Sequence, residues 1–320
     1  MHDTYDQFLG SWWGGIIAQN CGSQLVKSFP ADLMAQPWLQ RRTKIGQMLL
    51  DGEPSSDLLQ LISRPEPSRN IQGKQQYEQY NSDLLSLLPL IIFDGNCQNF
   101  CLQSADKRNL KLVNLIQDGY LSPNILLWIY LLTTVLDRRV DLASQRITKA
   151  KIFHQSPAKA SLLANQLELV ERAIDHGETL ELLSSKLLAT KDCSSTAIAL
   201  SWYCFISTPR NPKLSIFRAA RVEPRLAWLT TALTGTLSGA YNGMTRISVS
   251  WRNYSQPKTY HHREDSLFSK LFTSWLGMYH PHGNITSWSL GGNAIAPAPS
   301  IQLRPHLSII SQQSLNLPNH

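Results

Sequence analysis

Wherever the apolar residues of this chain form a pattern, they recur with helical spacing. From Asp6 to about Gly22 the pattern is helical, with Gly10, Gly14, Ala18 and Gly22 at intervals of four. Ser82 to Phe93, Lys107 to Gln117 and Pro123 to Leu136 carry Leu and Ile at the same spacing. They are separated by Asp94-Gly95-Asn96 and by Asp118-Gly119 with Ser122-Pro123, which read as helix stops and starts. Pro157 to Ile174 places Leu162, Leu163, Leu167 and Val170 on one face and ends at His176-Gly177. Glu178 to Ala189 follows, with Leu180, Leu183, Leu187 and Leu188. Ser194-Ser195 offer a cap for a helix over Thr196 to Ile206, and Pro224 suits the first turn of one running to Asn242. β-Branched runs near Ile247 to Val249 and at Ile309-Ile310 are too few for a sheet. The pattern predicts an all-α fold.

The stretches without periodicity are polar. Residues 51 to 82 hold Pro54, Pro65, Pro67 and Gly73 and read as a loop with one short helix, Ser56 to Ile62. After Trp251 the composition turns to Tyr, His, Ser, Pro and Gly, with one amphipathic helix predicted at Ser266 to Met278 and a poorly ordered tail from Gly291.

Small residues form a second pattern. Gly235, Gly239 and Gly243 share one helical stripe, and Gly10, Gly14 and Gly22, with Ala18, form another at the opposite end of the chain. A glycine inside a helix costs roughly 1 kcal/mol against alanine, so several in register need a packing reason, usually the close approach of another backbone. The two stripes are suited to pack against each other.

Composition adds limits rather than an activity. With 42% hydrophobic residues in 320, the chain can build a sizeable core. Its net charge of +7 and pI near 9.2 permit weak attraction to polyanions. Nucleic acid is not the expected partner. Cys21, Cys97, Cys101, Cys193 and Cys204 are scattered and read as reduced thiols, not as a disulfide framework. The N-terminus has no basic region, and the apolar runs Trp12 to Ala18 and Ile125 to Val135 are too short to span a bilayer. A soluble cytoplasmic protein is expected, with no membrane partner.

Three segments in order carry a resemblance. Gly10-Ser-Trp-Trp-Gly14-Gly-Ile-Ile-Ala-Gln19-Asn-Cys-Gly22 comes first and Ser82-Asp-Leu-Leu-Ser-Leu-Leu-Pro89-Leu second. Thr234-Gly235-Thr-Leu-Ser-Gly239-Ala-Tyr-Asn-Gly243 with Ile247-Ser248-Val-Ser-Trp251 closes the set. Together they resemble the ADP-ribosylglycohydrolase family over residues 6 to 252. The resemblance implies a single orthogonal helical domain over residues 1–252, followed by a largely irregular extension over 253–320. Active members of the family hold two magnesium ions on acidic pairs, because hard divalent cations need converging carboxylate oxygens. Counting back from Gly235, the positions expected to be acidic are Leu226 and Trp228, and neither side chain can bind magnesium. Trp38-Leu-Gln-Arg41-Arg42-Thr43-Lys44 stands where the other acidic run would fall, and Ala18-Gln19 replaces a Gly-Asp. The resemblance therefore implies no catalytic residues, no metal and no cofactor, with the ligand-binding residues unknown.

Other chemistry is less well supported. His261-His262 with Glu264-Asp265, and His280 with His282, carry ordinary zinc-ligand types, but tail histidines are usually solvent-exposed. Cys97-x-x-x-Cys101 lacks metal-ligand spacing. Arg218, Arg221 and Arg225, with Arg210 and Lys213, could meet phosphate, although a solvated basic face is the ordinary explanation. Tyr241, Trp12, Trp13, Trp202 and Trp228 read as core residues. No nucleophile elbow, zincin motif or P-loop is present.

Two functional readings follow. The first is a catalytically silent relative of the family that binds a protein partner or a nucleotide-like ligand. The second is an active hydrolase of ADP-ribosyl N- or O-glycosidic bonds with a rebuilt site, using Glu223, Asp51 or Asp94 as general base. An unrelated helical scaffold is a third reading, and it predicts that the two glycine helices do not touch.

Overall fold

The chain is described here by a computed structural model, which defines residues 2–25, 37–51, 57–58, 61, 84–93, 121–136, 157–189, 192–254 and 258–276. These residues are mostly helical and none lies in a strand, so the fold is all-α. In chain order the helices are α1 (His2–Leu25), α2 (Pro37–Leu50), α3 (Leu88–Phe93), α4 (Pro123–Leu136), α5 (Pro157–Asp175) and α6 (Leu180–Leu188). They continue with α7 (Cys193–Ile206), α8 (Pro212–Ala220), α9 (Pro224–Asn242), α10 (Val249–Tyr254) and α11 (Lys258–Trp275). The expected helix at 107–117, the residues around Cys97 and Cys101, and the tail beyond 276 lie outside the described residues, as does most of 51–82.

The two glycine helices pack on each other, and α1 with α9 is the most extensive helix pair of the fold. The pairing is antiparallel and backbone to backbone. A Cβ on Gly14 would collide with the Gly235 carbonyl oxygen, and one on Gly239 would collide with the Gly10 carbonyl oxygen. Ala18 continues the stripe, since its methyl occupies the space a Gly235 side chain would need. This close approach is what offsets the helix-propensity cost of the glycines. Gly22 also lies buried in α1.

Gly243 has a different role from the one its spacing suggests. It is not in the helix but caps it, at φ 78° and ψ 168°, with its N–H donating to Gly239 O at 2.8 Å. An L side chain is strained at that φ, and a Cβ there would also strike the Asp6 carboxylate. Asp6 of α1 holds the following loop: its carbonyl accepts from Met244 N at 3.0 Å, and its carboxylate accepts from Thr245 N at 3.1 Å and Thr245 Oγ1 at 2.7 Å.

The remaining helices build outward from this pair. α7 and α8 pack on α9, α5 and α6 pack on α7, and α4 touches α9, α7 and α5. α2 and α11 pack together and are joined to the rest through α3 and α1. α5 ends in a Schellman motif, with Glu178 N donating to Ala173 O at 2.8 Å and Gly177 N donating to Ile174 O at 3.2 Å, and Gly177 at φ 63°.

Three element boundaries differ from expectation for identifiable reasons. α7 starts at Cys193 because Asp192, not Ser194-Ser195, is the cap: its Oδ1 accepts from Ser194 N at 3.0 Å and Ser195 N at 3.3 Å. The expected helix over 82–93 is interrupted at Leu87, because Pro89 cannot donate and is tolerated only in the first turn of a new helix, α3. α11 begins at Lys258, two turns before Ser266, and its inward stripe is Glu264, Leu267, Phe268 and Leu271, all buried. A glutamate on the core face hides the amphipathic pattern.

The glycine packing makes a sharp prediction. Gly239→Ala adds a methyl against rigid backbone and is expected to cost about 3 kcal/mol, at the upper end of overpacking. At Gly46 the new methyl would instead meet Leu267 Cδ2 at 3.1 Å and Leu271 Cδ1 at 3.2 Å, flexible side-chain ends that can yield. Gly46→Ala is expected to change stability by less than about 1 kcal/mol, because the gain in helix propensity offsets the crowding. Urea unfolding of the two variants beside the parent checks the contrast.

Candidate functional site

The positions singled out by the resemblance lie on α1, α2 and the first turn of α9. Leu226 is buried in the first turn of α9 as part of the hydrophobic core, and Trp228 is half-buried against that core. Gln19 of α1 is buried. Arg42 of α2 is 1% exposed, which is unusual for an arginine, and its contacts explain how it is accommodated. Its Nη2 pairs with Glu264 Oε2 of α11 at 2.6 Å, and its Nη1 donates to the Trp12 carbonyl at 2.9 Å. The guanidinium carbon lies 4.4 Å from the Trp12 ring centroid and 5.5 Å from that of Trp38. Glu264 is completely buried, and its second oxygen accepts from Thr43 Oγ1 at 2.6 Å. Beside it, Trp13 Nε1 donates to Asp265 Oδ1 at 3.1 Å.

The α1–α2 segment and α11 are thus tied together by a buried ion pair whose charges cancel. Two elements that the sequence pattern left unconnected meet here, and Arg42 with Glu264 is the pairing that sequence reasoning missed. Neither residue carries a sequence signal of burial. By residue type Glu264 belongs with His261, His262, Asp265, His280 and His282 to the candidate zinc-ligand set. The structure commits Glu264 to Arg42 and Asp265 to Trp13. His280 and His282 lie outside the described residues, as do the side chains of His261 and His262. Among the described residues no group of three or more His, Cys, Asp or Glu side chains could hold a metal ion.

The structure does not bring Arg42 to the other positions. The contacts Gly10 to Gly239 and Gly14 to Gly235 define the register of α1 against α9, and they place Leu226 and Trp228 along the stretch of α1 that follows Gln19. Arg42 sits against Trp12, about 16 Å back from the level of Leu226 along the α1 axis at 1.5 Å per residue. The carboxylates considered as alternative bases do not meet either. Glu223 is the N-terminal flanking residue of α9, half-buried and 3.8 Å from Arg225 Nε. Asp51 is exposed beyond α2, its carboxylate accepting from Gln47 Nε2 of the same helix at 2.9 and 3.1 Å. Asp94 lies outside the described residues. Leu226, Trp228 and Arg42 do not fit a magnesium ion, since none offers an anionic oxygen.

The described thiols are poor nucleophiles in this environment. Cys21 and Cys204 are buried, and burial pushes the Cys204 thiol up to about 12 despite the opposing influence of Arg218. Burial also raises Cys193, with Asp192 and Glu223 adding to the effect. Of the aromatic residues, Trp12, Trp13 and Trp202 are buried, and Trp228 and Tyr241 pack against the core. No described helix is long and apolar enough to cross a membrane. Compared with protein-family models, curated proteins and solved structures, the chain matches none.

Two measurements test this chemistry. Arg42→Ala or Glu264→Ala leaves an uncompensated buried charge and is expected to cost about 3–5 kcal/mol in urea unfolding. The double replacement Arg42→Met with Glu264→Leu is expected to recover most of that loss. For Cys204, an unfolded thiol ionises near 8.5, so as pH rises from there toward 12 the unfolded state loses its proton first and stability falls. Between pH 8 and 10.5 the parent is expected to lose about 1–3 kcal/mol more than Cys204→Ala.

Proposed function

We propose that this protein is a catalytically silent relative of the ADP-ribosylglycohydrolases, acting by binding a protein partner or a nucleotide-like ligand. One observation carries the reading. The first and closing glycine helices pack backbone to backbone, as one helical unit built from opposite ends of the chain would require, while Leu226 is sealed in the core where a metal-binding carboxylate would have to stand. Contact between the helices also runs against the prediction of an unrelated scaffold. The buried Arg42 adds to the case, because the segment aligned with an acidic run offers a guanidinium already paired with Glu264 and no free carboxylate for a metal.

Two helical features of the family thus accompany side chains that cannot perform its reaction. Glu223, the acid nearest in sequence to the aligned positions, sits beside Arg225 rather than a second carboxylate. A single exposed-edge carboxylate does not assemble a binuclear site.

The test is turnover. Purified protein incubated with an ADP-ribosyl-arginine or ADP-ribosyl-serine peptide is expected to release no ADP-ribose above buffer, with or without magnesium. Magnesium-dependent release that is abolished by Glu223→Gln would overturn the proposal and establish an active hydrolase with a rebuilt site.

A further inference from the structure

The positive charge of this chain is concentrated. Residues 207–254 hold seven arginines and lysines against a single acid, Glu223, which is a net +6 of the +7 carried by all 320 residues. The structure folds this segment back on itself. α8 lies along α9, and Asn242 at the end of α9 donates from Nδ2 to the Pro209 carbonyl at 2.7 Å. Trp251 of α10 meets Phe217 of α8 edge to face, with centroids 5.5 Å apart and planes at 83°. Lys213 Nζ lies 5.7 Å from the Phe217 ring.

α8 buries Ser215, Ile216, Ala219 and Ala220, so the outward side of the helix presents Lys213 and Phe217, with Arg221 following at its C-cap. Arg210, Lys213, Arg221 and Arg225 are exposed, and Phe217, Trp251 and Arg252 are half-buried. The one acid of the segment, Glu223, approaches Arg225 beyond the C-terminal end of α8 and leaves Arg210 and Lys213, at the other end, uncompensated within the segment.

We infer that this face, centred on α8 and α10, binds single-stranded nucleic acid. Six of the seven cations are arginines, whose planar forks match phosphate oxygens better than an ammonium does. The partly exposed edges of Phe217 and Trp251 supply a π surface among those charges, the combination that holds unpaired bases while the backbone follows the cations. The outward side of a surface helix is convex, so it suits an extended strand rather than a mononucleotide enclosed in a cavity. An anionic membrane would engage the same charges, but interfacial binding needs an apolar helix face, and α8 has already spent its own on the protein core. Leu214 of α8 and Val249 of α10, at 40% and 58% exposure, are the two exposed large apolar side chains of this face, too few to form an apolar helix face. The inference is independent of any glycohydrolase ancestry.

The test uses the full chain and a labelled single-stranded oligouridylate, followed by fluorescence anisotropy. Three to four phosphate contacts predict binding at low salt, with log K falling against log[salt] at a slope of about −2 to −3. Lys213→Glu with Arg221→Glu is expected to weaken binding at least about tenfold, and Phe217→Leu about fivefold or more. Arg172→Glu with Lys270→Glu makes the same change in net charge at exposed positions on α5 and α11 and is expected to have little effect. Circular dichroism establishes that each variant is folded. Absence of binding at low salt, equal weakening by the two charge-reversal pairs, or binding to phosphatidylserine vesicles without binding to the oligonucleotide overturns the proposal. A grip on duplex DNA as tight as on the single strand, and unmoved by Phe217→Leu, overturns it as well.

Discussion

The contact between the α1 and α9 backbones is the constraint on which the rest of the architecture rests. Where Gly10 and Gly14 meet Gly239 and Gly235, no side chain separates the two helices, so their axes approach more closely than ordinary core residues allow. This closeness fixes register as well as distance, because a shift along either helix would drive a Cβ into a carbonyl. Asp6 then locks the exit of α9 by binding Met244 and Thr245. With the first and the ninth helix so placed, α7 and α8 have one surface of α9 to cover, and the leucine-rich α4, α5 and α6 complete the layer outside them.

The Arg42–Glu264 pair does for the other half of the molecule what the glycines do for the first. Burying two charges is costly, and the arrangement is tolerable because nearly every polar atom is answered: Trp12 O, Glu264 and Thr43 take part, and two indole rings face the guanidinium. Such a pair specifies where α11 docks more than it adds stability, since a misplaced helix would leave one charge buried alone. Around it Phe8, Phe93 and Phe268 meet edge to face, with Phe8 and Phe93 5.7 Å apart and Phe93 and Phe268 5.8 Å apart. These contacts join α1, α3 and α11.

These two anchors serve the fold, and neither is a reactive centre. The positions considered for metal-binding acids hold an aliphatic core residue, an indole and a buried arginine. The arginine sits apart from the other two, and none of the three offers an anionic oxygen, so the chemistry of a binuclear metal site has no counterpart among them. The surface proposed to bind single-stranded nucleic acid is electrostatic. It is assembled where α8, the end of α9 and α10 bring cations and two aromatic rings to one side.

Local sequence signals alone were enough to identify the helical class and the bounds of α4 and α9, because α4 is an apolar run between Pro123 and the charged Asp137-Arg138-Arg139, and α9 opens at Pro224 and closes before Gly243. They also identified the two small-residue stripes, whose propensity cost implied a close partner. They could not show α2, or the first two turns of α11, because each places a charged residue on its core face and so breaks the pattern that periodicity reads. Nor could spacing show that Gly243 ends its helix, since a glycine at the fourth position is equally compatible with a stripe and with a cap. Only the tertiary structure paired Arg42 with Glu264 across 222 positions and set Trp251 against Phe217. The reason is physical: a local pattern records which face a residue turns to the core, but neutralisation of a buried charge and the meeting of two half-buried rings depend on partners that only folding brings within reach.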